Sequence, residues 1–135
     1  MSGEPHLRTL HPAGWKPARG YSNGILAEGR TVWLGGQIGW NGQQEFETDD
    51  FAGQVKQALE NVVAILAEAG GGPEHIVRMT WFITDKQAYV SGLAQVGEAY
   101  RAVMGRNFPT MSVVEVKALI EDRAKVEIEA TAVLP

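Results

Sequence analysis

Cysteine is missing from all 135 residues, so the chain has neither a disulfide framework nor a thiol nucleophile, and a reducing cytosol is the compartment that fits. Long hydrophobic runs are missing as well. Nothing approaches the roughly 18 apolar residues of a membrane span. The opening MSGEPHLRTL has no basic segment followed by an apolar stretch. A soluble, cytoplasmic protein without a membrane partner is expected. Positive charge is in short supply: twelve Lys and Arg face sixteen Asp and Glu, for a net charge of −4, and no basic stripe gathers phosphates. Nucleic acid is therefore not the expected partner. The three histidines, His6, His11 and His75, lack metal-ligand spacing, and no metal or other cofactor is expected. No serine sits in a GxSxG elbow. Glycines 35, 36 and 39 lack the GxGxxG spacing and the lysine of a phosphate loop, and a flexible turn is the reading for them.

What is present is one domain, residues 1–135, with 44% hydrophobic residues and its own core. YSNGILA from Tyr21, the connection Glu28-Gly29 and TVWLGG read as a β-hairpin. Phe51, Val55, Leu59, Val62 and Leu66 recur at helical spacing; Thr48, Asp49 and Asp50 offer caps before them, and Gly70 to Gly72 with Pro73 end the run. Ile76 to Thr84 reads as a strand. Asp85 caps a second helix with Val90, Leu93, Val96, Tyr100 and Met104 inward, closed by Gly105. Met111 to Val116 and Lys125 to Val133 are strands joined by LIEDRA. The order is ββαβαββ.

Two helices cover only one face of such a sheet. In the last strand Val126, Ile128, Ala130 and Ala132 suit the helices, while Glu127, Glu129, Thr131 and Val133 form a mixed face. In the preceding long strand Val77, Met79, Trp81 and Ile83 alternate with Arg78, Thr80, Phe82 and Thr84. Apolar residues on both faces predict that the second face is buried against another subunit. Glu127 and Glu129, two apart on one strand face, are a candidate carboxylate pair for acid and base roles or simply a solvated pair.

PARGYSNGI, LGGQIGWNG, QVKQALENVVAILAEAGG, MTWFITD, FPTMSVVEV and VEIEATAV, in this order, resemble the Rid family of reactive-intermediate deaminases, also called YjgF or endoribonuclease L-PSP-like proteins. The resemblance covers nearly the whole chain. It implies a chorismate-mutase-like α+β fold, one mixed sheet with two helices on one face, assembled as a homotrimer with a small-molecule cleft between subunits. It also implies hydrolysis of enamines and imines to a 2-keto acid and ammonia. By resemblance, Tyr21 matches the aromatic hydroxyl near the cleft, Gly36 the glycine beside it, and Glu127 the acid that positions the attacking water. Gly35 stands where a serine is common and Gly97 where an asparagine occurs. Met111 stands where deaminating members carry the arginine that clamps the substrate carboxylate.

Two readings follow. As an imine or enamine hydrolase, the chain would use Glu127 as base or water holder and Tyr21 as donor to the leaving nitrogen, with Arg19 reaching in from the cleft mouth. As a binding module, it would hold a less anionic or more apolar metabolite against Met111, Val113 and tryptophan, with weak or no turnover. The negative charge and the lack of a histidine pair speak against ribonuclease chemistry.

Overall fold

The computed structural model describes residues 6–135; residues 1–5, half of the opening segment in which no leader was found, lie outside the described residues. The elements are β1 (Leu7–Leu10), β2 (Gly24–Ala27), β3 (Arg30–Ile38), α1 (Phe51–Ala67), β4 (Ile76–Ile83), α2 (Lys86–Ser91), α3 (Leu93–Met104), β5 (Thr110–Glu115) and β6 (Val126–Leu134). β3, β6, β4 and β5 form one mixed sheet in that order, antiparallel except for the parallel β4–β5 pair. The two main helices, α1 and α3, pack on one face of it, the mixed α+β architecture expected from the sequence. Among the described residues no helix is long and apolar enough to cross a membrane.

α1 forms as its pattern predicts: Val55, Leu59, Val62 and Leu66 are fully buried. Of the three candidate caps Asp50 does the capping, accepting from the Gly53 N–H at 2.9 Å, and Thr48 Oγ1 accepts from the Asp50 N–H at 3.0 Å. Gln54 is buried in the same helix. Its Nε2 donates to the carbonyls of Thr48 (3.2 Å) and Arg123 (3.0 Å), and its Oε1 accepts from the Lys125 N–H (2.8 Å), tying α1 to the entry of β6. A Cβ on Gly39 would lie 2.5–2.8 Å from Gln54. Close approach, not a flexible turn, therefore requires that glycine.

Four expectations are corrected. Gly35 and Gly36 lie inside β3, at the register irregularity between Leu34 and Gln37. The helix after Asp85 is two helices broken at Gly92; the break resets the helical phase, leaving Val90 and Leu93 exposed while Val96, Tyr100 and Met104 stay inward. A second irregularity, between Ile76 and Arg78, puts Ile76 rather than Val77 in the core. The hairpin does not form: β2 pairs antiparallel with β1 in a separate two-stranded sheet. The reason is tertiary. The Ser22 N–H donates to the Pro109 carbonyl (3.0 Å), Ser22 bridges Thr110, and Arg30 pairs with Leu134. The segment 22–30 thus crosses the end of the sheet from β5 to β3, roughly 14 Å at ordinary strand spacing, and cannot also run along β3.

Candidate functional site

The sheet divides the candidate residues into two groups. Met111 and Val113 lie beside Met79 and Trp81 in the parallel ladder and pack against the core, so they face the helices. Glu127 alternates with buried Ile128 and pairs with Phe82, so it faces the opposite, uncovered side.

On the helix side a cavity of about 430 Å³ opens between α3, β4 and β5. Met111 and Val113 form its strand wall. Trp81, Tyr89, Tyr100 and Phe108 form an aromatic wall, Trp81 meeting Tyr89 edge-on at 6.4 Å and Tyr100 stacking on Phe108 at 5.9 Å. The tie of Ser22 to β5 holds the preceding residues over this cavity, where Arg19, Gly20 and Tyr21 line its mouth. Arg101, on α3, lines it too. Burial pushes the phenols of Tyr89 and Tyr100 above their ordinary value, Tyr100 the further, so both are neutral; the Tyr100 hydroxyl donates to the Asn107 carbonyl. Sequence reasoning missed Arg101 and most of the aromatic wall. The signal for the wall was the aromatic content of three separate elements and of the loop before β5, which only the fold brings together.

On the open side, Glu127 lies half-buried directly over Gly36. A Cβ at Gly36 would sit 2.8 Å from Glu127 Cδ and 2.9 Å from Cγ, and closer still to Oε2. The glycine is the floor on which the carboxylate rests. Gly35, with open space over it, lines a neighbouring groove with Trp33, Arg78, Thr80, Glu129 and Thr131. Trp33 is 79% exposed on this face and Val114 is 42% exposed. The structure thus brings Arg19, Tyr21, Met111 and Val113 together, and Gly36 with Glu127, but sets the two groups on opposite faces of one sheet. A single chain presents an apolar-walled pocket with a hydroxyl and two guanidinium groups at its mouth, and separately a carboxylate on a glycine floor.

A mixed α+β domain with both helices on one sheet face, an aromatic cavity at the end of β5 and a glutamate over a glycine of β3 is of the Rid/YjgF type. The family model for endoribonuclease L-PSP matches residues 12–134, and the chain belongs to this family. It is 32% identical over 114 residues to a human protein named 2-iminobutanoate/2-iminopropanoate deaminase, covering 84% of this chain and 79% of the relative. Among solved structures, the Rid-family protein YyfB of Yersinia pestis superposes with a TM-score of 0.86 at 28% identity, covering 96% of this chain and 100% of the other. Escherichia coli TdcF with bound serine superposes with a TM-score of 0.68 at 35% identity, covering 92% and 93%.

Proposed function

We propose that the protein acts as a homotrimer that binds a small metabolite in clefts between subunits and hydrolyses its imine or enamine bond, with weak activity toward the small anionic 2-imino acids. The observation that supports this most is the division of the candidate residues across the sheet. Imine hydrolysis needs a base for water and a donor for nitrogen at one carbon, and one chain holds Glu127 and Tyr21 on different faces. A neighbouring copy that covers the open face of β3 and β6 supplies the missing half. The exposed Trp33 and Val114 on that face support such a cover, since apolar surface of this kind marks association.

In the cleft, Glu127 takes a proton from water as its oxygen attacks the imine carbon, giving a carbinolamine. The Tyr21 hydroxyl aids protonation of the nitrogen. The carbon–nitrogen bond breaks, the carbonyl forms, and ammonia leaves; water and imine are converted to ketone and ammonia without redox change. An enamine enters the same route after tautomerising to its imine. The human relative's name, a 2-iminobutanoate/2-iminopropanoate deaminase, is consistent with this reaction class. Met111 limits it, because an apolar side chain leaves a substrate carboxylate without a charged partner on β5.

The test follows keto-acid formation from imines generated by an amino-acid oxidase. Glu127→Gln is expected to abolish turnover while leaving the oligomer intact; unchanged rates in that variant would exclude the reading.

A further inference from the structure

The cavity facing the helices has no cation on its strand wall, yet a guanidinium lies on its helix wall. Arg101 follows Gly97 by one helical turn, and a Cβ at Gly97 would lie 3.2 Å from Arg101 Nη1 and 3.9 Å from both Cζ and Nη2. The guanidinium therefore lies back over the space that a side chain at position 97 would fill, and Gly97 and Arg101 line the cavity together. Arg101 makes no side-chain hydrogen bond or ion pair among the described residues; the ion pair found among them joins Arg123 to Asp49 elsewhere.

We propose that Arg101 is the anion anchor of this cavity, in place of an arginine on β5, and that the cavity takes carboxylates carrying an aromatic or extended aliphatic body. The inference rests on the proposed cleft but concerns its ligand class. Size and lining both point this way. About 430 Å³ lies within the range of sites for drug-sized ligands and well beyond the needs of a three-carbon acid. Tyr89 and Phe108 line it with aromatic surface, Met111 yields to irregular apolar shapes, and Arg19 lines it as a second cation. A carboxylate held at Arg101 on α3 leaves the strand and aromatic walls to the body of the ligand, so a short anion that fills little of the cavity is disfavoured.

The test is equilibrium binding by calorimetry with phenylpyruvate, pyruvate and the uncharged benzyl methyl ketone, on wild type, Arg101→Gln and Arg101→Lys. Wild type is expected to bind phenylpyruvate at least about tenfold more tightly than either of the others. Arg101→Gln is expected to weaken phenylpyruvate about tenfold to a hundredfold, the worth of a charge-assisted hydrogen bond, and to leave the uncharged ketone unchanged; Arg101→Lys recovers part of the loss. Arg101 is solvent-exposed on α3, so these variants keep the fold, checked by thermal melting. Equal binding of phenylpyruvate by wild type and Arg101→Gln, or pyruvate bound as tightly as phenylpyruvate, would overturn the proposal. Binding that meets the expectation without any hydrolysis would instead sink the proposed reaction and leave Arg101 as the anchor.

Discussion

At the residue scale, Met111 and Gly36 decide most. Met111 faces the cavity between Val113 and the aromatic wall, where a charge of similar reach can be placed without rebuilding β5. Met111→Arg is expected to raise turnover of 2-iminopropanoate severalfold, because charge-assisted bonds to a carboxylate are worth about 1.5–3 kcal/mol each. Full deaminase rates are not expected, since Gly35 and Gly97 supply no polar side chain to orient so small a substrate. A coupled keto-acid assay checks this, and a wild type already as fast as the variant would show that the strand arginine is dispensable. Gly36 behaves differently. The atoms that a methyl group would strike are the far end of the flexible Glu127 side chain, so Gly36→Ala should melt close to wild type yet lose most turnover as the carboxylate is pushed aside. An active Gly36→Ala would mean that the position of Glu127 over this glycine is irrelevant to the chemistry. Both positions were legible as residues that match a family pattern; that Glu127 rests on Gly36, across two strands, was not legible in any local window.

At the element scale, legibility followed the range of the interaction. α1 was readable because its caps and apolar stripe are local, down to Asp50 one residue before the helix starts. The hairpin was misread because GILA, Glu28-Gly29 and TVWL satisfy the local signal, while the tie of Ser22 to Pro109 lies 87 positions further on and overrides it. The break at Gly92 was likewise visible as a glycine but not as a change of phase. α3 carries a pH-dependent contribution through Tyr100, whose hydroxyl holds the Asn107 carbonyl and whose buried phenol titrates above its ordinary value of 10.0. Below pH 10 the phenol is protonated in both folded and unfolded chains, and its contribution is fully present. Above it the unfolded phenol ionises first, so stability falls as pH rises. Urea unfolding at pH 9 and pH 11 should show a smaller drop for Tyr100→Phe than for wild type; equal drops would mean that the buried phenol does not couple to folding.

At the scale of the whole molecule, the alternation of β6 and β4 predicted a sheet with one helix-covered face and one mixed face, and that is the arrangement observed. Nothing in the periodicity placed Tyr21 and Glu127 on opposite faces, because Tyr21 is located by the crossing of segment 22–30 over the sheet end. Under the proposed function, division of this kind makes assembly part of the chemistry: hydroxyl and carboxylate are to meet where the cavity of one copy faces the open strands of the next. Sedimentation at three times the 14.7 kDa chain mass would accord with it but would not show that the clefts are shared. Complementation does. Tyr21→Phe and Glu127→Gln chains, each inactive alone, are refolded together and assayed for imine hydrolysis, with mixed oligomers verified by mass. Clefts composed from two subunits predict recovery of about a quarter of wild-type activity for random mixing in a cyclic trimer, since each mixed trimer holds one cleft with both groups intact. Mixed trimers that stay as inactive as either parent would contradict a cleft shared between Tyr21 of one copy and Glu127 of the next.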